Sequence, residues 1–188
     1  VRTGDFVPLS VQGRYGKAGA RVSGYADFSA SDLFKPFIDR IGRTARFGFA
    51  AVPDRREGFQ GVAWRLYADN VESHAVGVLK VADRSAPDGI RLEFATPNLS
   101  RLAGTTVGGA TSWTGVFEGG PESFTLKGQA AMADAHLASY RAQRIAGPLN
   151  AGWRDGRLTL DADVRGAGGR AEGIVGALLG ATPHVVLR

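Results

Sequence analysis

The chain has 188 residues, of which 44% are apolar and 22% are charged, an ordinary globular composition that leaves room for one large or two small domains. Glycine is frequent at 27 residues, cysteine is absent, and the formal net charge is +5. These values exclude a collagen, a disulfide-stapled miniprotein, a coiled coil, a transmembrane span and any thiol chemistry.

Short segments in which apolar and polar residues alternate dominate the chain, and Gly, Pro, Asp and Asn separate them. This pattern predicts antiparallel strands that each have one apolar and one polar face. A mainly β fold is therefore expected. In chain order, the apolar alternation begins at the following residues: Val7, Val22, Phe47, Val62, Ile90, Trp113, Phe124 and Leu158.

Three short helices are predicted between these strands. The first covers Ser31–Ile41, with Ser31 or Asp32 as its cap and Pro36 in or near its first turn. The second covers Pro97–Gly104, and the third follows the apolar spacing of Ala171–Leu179. The alanine-rich stretch Gln129–Ile145 permits a helix, but it has no clean apolar stripe, so two strands are favoured there.

Recurrence of a helix after several strands indicates a loose internal repeat. Its predicted limits are about 1–44, 45–110 and 111–188, within a single β-rich segment that covers 1–188. The chain has no initiator Met and no leader-like opening, which favours its interpretation as a piece of a longer polypeptide.

No group of residues indicates catalysis, a cofactor or a metal site. Gly166–Ala171 matches a dinucleotide-binding pattern, but the preceding segment alternates in polarity, whereas a central parallel strand would be continuously apolar. A turn and a helix start explain it better. His74, His136 and His184 are isolated in the sequence, where surface or half-buried histidine is far commoner than a zinc ligand. The prediction is a protein that is not an enzyme.

Basic residues outnumber acidic ones, yet they form no long run and accompany no nucleic-acid-binding motif. No nucleic-acid partner is therefore predicted. A solvated face with an excess of arginine explains the charge, and such a face would weakly favour anionic lipid headgroups.

The summed apolar faces of the strands are the one functional signal. If part of this surface is left open, it forms a groove suited to acyl chains, because such an area is too costly to leave in water. If it is closed, the fold is a lipocalin-like β-barrel that carries a small apolar ligand. The predicted lipid-binding residues are Val7, Leu9, Val11, Val22, Phe28, Phe47, Phe49, Val62, Trp64, Leu66, Ile90, Leu92, Phe94, Phe124, Leu126, Leu158 and Leu160.

Three segments carry a family resemblance: Gly168–Pro183, Thr96–Gly104 followed by Gly108 and Gly109, and Val7–Gly13. Each joins strands through glycine or proline, and the first two add a short Leu-rich helix. They resemble repeats of the TamB/AsmA-like translocation and assembly module family of Gram-negative envelopes.

The resemblance implies an elongated, half-open, taco-like curved sheet in the periplasm, as an internal part of an inner-membrane-anchored protein. It implies phospholipid transfer between the inner and outer membranes, assistance to outer-membrane protein assembly, or both. The implied partners are phospholipid acyl chains and, through other parts of the chain, a TamA-like outer-membrane protein. The family supplies no catalytic residues.

Overall fold

The structure is a computed structural model, and it describes residues 8–137, 139–170 and 178–187. Eleven strands and two short helices make up the described part. In chain order these elements are β1 (Leu9–Gly16), β2 (Gly19–Asp27), α1 (Lys35–Ile41), β3 (Thr44–Pro53), β4 (Phe59–Ala68), β5 (Val71–Lys80), β6 (Ala86–Thr96), α2 (Leu99–Ala103), β7 (Gly108–Gly119), β8 (Ser123–Leu137), β9 (Tyr140–Arg154), β10 (Arg157–Ala167) and β11 (His184–Leu187).

All eleven strands form one antiparallel sheet in which each strand pairs with its neighbour in the sequence, so the spatial order is β1 to β11. β1 pairs only with β2, and β11 pairs only with β10, among the described residues. The mainly β, open, antiparallel architecture is therefore confirmed. The alternative of a closed, lipocalin-like barrel is wrong, because the two edge strands do not meet.

The helical connections share one end of the sheet, which we call the helix end. α1 joins β2 to β3, and α2 joins β6 to β7, so four strands separate the two connections. Leu178 and Leu179, between β10 and β11, are also helical and belong to the same end. The opposite end, which we call the turn end, has only turns and loops in its connections.

Both helices are shorter than their sequence patterns. α1 begins at Lys35 rather than Ser31, and Phe34, not Ser31 or Asp32, is its N-cap residue. The Ser31 hydroxyl instead accepts a hydrogen bond from the Phe34 N–H at 3.2 Å, which forms a turn ahead of the helix. Pro36 lies in the first turn of α1, as predicted.

The other segments are placed as follows. α2 is capped by Asn98, whose side chain accepts from the Arg101 N–H. Gln129–Ile145 forms parts of β8 and β9, which confirms two strands there. Of the predicted third helix, 171–177 lies outside the described residues.

In the part of the chain that the structure describes, the sheet has no second layer across most of its area. The accessible surface of the chain is 12805 Å², whereas a compact monomer of 19.8 kDa exposes roughly 8,600 Å². Within the described part of the chain, each strand makes its extensive contacts only with the strands beside it. Fully buried side chains are few and gather mainly at the helix end; the largest is Tyr140, which packs with Ala135 and Ala142.

Candidate apolar binding face

Strand register places the apolar sides of all eleven strands on one face of the sheet, which we call the apolar face. Directly paired residues of an antiparallel sheet point to the same face. One row runs Val22, Phe49, Trp64 and Ala75 from β2 to β5. Up to the irregularity at Asp134, the described paired positions of this face contain no Asp, Glu, Lys or Arg. Its surface is therefore almost wholly hydrocarbon and backbone.

Fifteen of the seventeen predicted lipid-binding residues lie on this face by register. Of the other two, Phe28 lies just beyond β2, where its ring packs 5.0 Å from that of Phe34, and Val7 lies outside the described residues. The fifteen are Leu9, Val11, Val22, Phe47, Phe49, Val62, Trp64, Leu66, Ile90, Leu92, Phe94, Phe124, Leu126, Leu158 and Leu160. The structure thus brings the predicted set together, and its role in lipid binding stays a prediction.

Exposure divides the apolar face along the strands. Near its middle, Phe49 and Trp64 are each 44% exposed, and Leu158 near the turn end is 68% exposed. At the helix end, Ala26 and Ala45 are 5% and 6% exposed. Small residues at the helix end of β2 and β3 are therefore enclosed, while large apolar side chains in the middle, at the turn end and on the edge strand, such as Leu9 at 61%, meet solvent.

Glycines on the apolar face provide space for aromatic rings. The Trp113 indole lies over Gly115 on its own strand and Gly128 on β8, where an added Cβ at either glycine would come within 2.6 Å of the ring. The Phe47 ring lies in the same manner over Gly24 on β2. Aromatic rings that cover strand glycines fill the gap left by the missing side chain and present a smooth apolar surface.

The polar atoms of two tryptophans on this face are satisfied within the sheet. Trp113 Nε1–H donates to the Leu149 carbonyl oxygen at 3.1 Å. Trp64 Nε1–H donates to the Ser73 hydroxyl at 3.3 Å. Since an indole has only this one donor, neither ring presents an unsatisfied polar group to a ligand on the face. The arrangement suits a ligand without hydrogen-bonding groups.

The sequence set omits several large residues that the register adds to the face, including Trp113, Phe117, Leu149 and Trp153. A signal for Trp153 existed in the sequence. Asp155 and Gly156 have φ values of 52° and 75°, as a two-residue hairpin turn of the Asp-Gly type requires. That turn pairs Arg154 with Arg157, which places Trp153 directly opposite Leu158.

Two of the three histidines lie beside carboxylates on their own or a neighbouring strand. His74 Nε2 lies 3.0 Å from Glu72 Oε1, and His184 Nε2 lies 2.6 Å from Asp163 Oδ1. No group of three or more potential metal ligands occurs among the described residues. The three histidines are therefore not assembled into a site in that part of the chain.

The glycine-rich segment at the end of β10 uses three of its amide groups for backbone pairing. The N–H groups of Gly166, Gly169 and Arg170 donate to the carbonyl oxygens of Pro183, Ala181 and Arg141. A phosphate-binding loop needs such amides free to point at the ligand. This pairing supports the interpretation of the segment as a structural turn.

Perturbed pKa values occur at the two ends of the strands, away from the middle of the apolar face: hydrogen bonds from Ser29 lower the pKa of Asp27 at the helix end, and the others lie at the turn end. Hydrogen bonds from Lys80 and then Ser85 lower the pKa of Asp83 to about 2. A backbone and a side-chain hydrogen bond from Arg56 lower the pKa of Asp54. These groups are exposed ion pairs that hold turns together, and none of them faces a cavity suited to acid–base catalysis.

Comparisons with protein-family models, curated proteins and solved structures find no match to this chain. Among the described residues, no helix has the length and apolar character that a membrane-crossing helix needs.

Proposed function

We propose that this chain is a non-enzymatic, periplasmic β-sheet segment whose apolar face shields phospholipid acyl chains during transfer between the inner and outer membranes. In this proposal it is an internal part of an inner-membrane-anchored protein of the TamB/AsmA-like family. The observation that carries the proposal is the continuous apolar face, which lacks charged side chains at its described paired positions and is left uncovered in its middle.

The dimensions of the face suit an extended hydrocarbon chain. Ten spacings separate the eleven strands, and at about 4.8 Å each they give a face about 48 Å wide. Each methylene removed from water contributes about 0.8 kcal/mol, so about ten buried methylenes supply about 8 kcal/mol. That sum corresponds to micromolar affinity before the cost of ordering the chain, which permits both capture and release.

A second role in the assembly of outer-membrane proteins rests on the edge strand β1. All eight residues of β1 are exposed, and they pair on one side only within the described chain. An open edge of this kind can accept an extended strand of another protein. In this proposal a TamA-like outer-membrane partner is engaged by other parts of the polypeptide.

Site-specific photo-crosslinking tests the lipid role. A photoreactive residue is placed at Leu92 on the apolar face and, as the matched control, at Arg91, which is the adjacent residue on the opposite face. We expect phospholipid adducts by mass spectrometry from position Leu92 and few or none from position Arg91. Adducts of equal yield from both positions, or from neither, would contradict the proposal.

The Phe49→Glu variant completes the test. A carboxylate at this half-exposed position should reduce the co-purifying lipid strongly, because burying it against an acyl chain is costly. Its fold is checked by circular dichroism. If lipid yield from a folded variant equals that of the parent, the apolar face is not the lipid site.

A further inference from the structure

The polar face of β1 to β4 carries four arginines, Arg14, Arg21, Arg46 and Arg65, which we call the arginine patch. Arg14 and Arg21 are directly opposite each other across β1 and β2. Like charges in directly paired positions repel and destabilise a sheet. The pair concentrates positive charge at this point of the polar face, as Arg154 and Arg157 do across β9 and β10.

No member of the arginine patch forms an ion pair with a carboxylate among the described residues. Some basic groups elsewhere do form such pairs. Arg56 pairs with Asp54 and Asp88, and Lys127 pairs with Glu118 at 3.6 Å. The arginine patch therefore places four positive charges on four neighbouring strands without a paired carboxylate among the described residues.

Aromatic and hydroxyl side chains surround the arginine patch. Arg46 is paired with Tyr25 on one side and Tyr67 on the other, and these rings are 38% and 40% exposed. The Arg65 side chain lies across Gly48, where an added Cβ would be 3.0 Å from its Nε atom. Because Gly48 has no side chain, the Arg65 side chain can extend across β3.

Two open clefts run between these side chains. One has a volume of about 620 Å³ and is lined by Ser10, Tyr25, Arg46 and Tyr67 among others. The second has about 780 Å³ and includes Arg14 and Arg21. Guanidinium groups bind phosphate oxygens through paired hydrogen bonds, and the serine and tyrosine hydroxyls supply further donors.

We propose that the arginine patch docks this sheet on an anionic membrane surface by binding the phosphates of lipid headgroups. The inference concerns the face opposite to the one proposed to hold acyl chains, so it stands independently of that function. Charge complementarity favours this occupant, and exposed tyrosines are typical of proteins that lie at the headgroup level of a bilayer. The open, shallow shape of both clefts suits a lipid surface better than an enclosed small ligand.

Vesicle binding at low salt tests the proposal, with vesicles of phosphatidylcholine alone or mixed equally with phosphatidylglycerol. We expect binding to the mixed vesicles, loss of this binding at high salt, and weak binding to phosphatidylcholine. Each arginine removed near such a surface lowers affinity about fivefold, so the double variant Arg21→Gln/Arg46→Gln should bind about 25-fold more weakly.

The matched control is Arg91→Gln/Arg165→Gln, which removes the same charge from exposed positions that have Glu93 and Asp163 two residues away on the same strands. This variant should stay within about twofold of the parent protein. Equal losses in both variants would overturn the proposal in favour of net charge alone. Equal binding to both vesicle types would also overturn it, as would tighter binding to a single-stranded oligonucleotide at the same salt concentration.

Discussion

The helix end of the sheet and the middle of its apolar face are built from the same alternating strands but differ in burial. On β3, Ala45 at the helix end is 6% exposed, whereas Phe49, four residues along the same face, is 44% exposed. Most buried residues lie at the helix end and are small, although Leu33 and Phe37 of the α1 connection are exposed, while the large aromatic side chains in the middle remain in contact with solvent. The comparison teaches that enclosed small residues and solvent-exposed aromatic residues occupy different parts of the same strand face.

The largest expected effect comes from introducing a charge at each of these two positions. Ala45→Glu places an unpaired carboxylate in a closed site and should destabilise the fold by more than about 3 kcal/mol. Phe49→Glu places it at the open middle and should cost about 1 kcal/mol. Urea unfolding followed by circular dichroism measures both. Similar losses of stability in the two variants would show that the middle of the face is also closed.

Tyr140 provides the next test of the helix end. Its side chain is 1% exposed, and its hydroxyl donates to the Gly180 carbonyl oxygen at 2.9 Å. Tyr140→Ala should cost about 3–5 kcal/mol through the cavity it leaves, and Tyr140→Phe about 1 kcal/mol through the lost hydrogen bond. Trp64→Ala in the open middle is the control and should cost less than Tyr140→Ala in the same unfolding experiment. A reversed order would contradict the division.

A smaller effect is expected at Asn70, whose side chain bridges α1 and the N-cap residue of α2. Its side-chain amide donates to the carbonyl oxygens of Arg40 at 2.8 Å and Asn98 at 3.3 Å, and the residue is 3% exposed. Asn70→Ala leaves these contacts unmade and should cost about 1–3 kcal/mol. Amide hydrogen exchange should then accelerate at the ends of α1 and α2 before it does so in the central strands.

The control for Asn70 is Asn150→Ala, which removes one hydrogen bond from the Gly128 N–H in the sheet. It should leave exchange at α1 and α2 unchanged. If both variants accelerate exchange equally across the sheet, the helix end is not an independently stabilised region.

Alternation of polarity was enough to predict the apolar face, because side chains of a strand point alternately to its two sides. It placed Phe49, Trp64 and Leu92 on one surface without any knowledge of strand order. To predict which residues of neighbouring strands are paired, the turn residues are needed as well. The Asp155-Gly156 turn shows that the sequence contained part of this information. The residues that share one face of the sheet can therefore be inferred from short segments of the sequence.

Burial along the strands could not be predicted in the same way. Tyr140 is buried partly because Leu179, which follows it in the chain by 39 residues, packs against its cluster at the helix end. The arginine patch was also not foreseen, since Arg14, Arg21 and Arg46 are dispersed in the sequence and meet only through the pairing of three strands. Both features depend on contacts between segments that are distant in the sequence. The alternation of polar and apolar residues within one strand does not indicate such contacts.

The smallest expected effect lies at the turn end, where Asp83 is held by exposed groups. Its pKa is lowered to about 2, first by the hydrogen bond from Lys80 at 2.8 Å and then by that from Ser85. A carboxyl whose pKa is lower in the folded state stabilises the fold above its unfolded pKa of about 3.9, and this contribution is lost as pH falls from about 4 to about 2. Asp83→Asn should remove that part of the acid sensitivity, and Lys80→Gln should reduce it. Urea midpoints of the three proteins at about pH 6 and about pH 3 measure the difference, which should be small because the pair is exposed. A large difference would mean that the turn end contributes to stability as the helix end does, and the division along the strands would have to be redrawn.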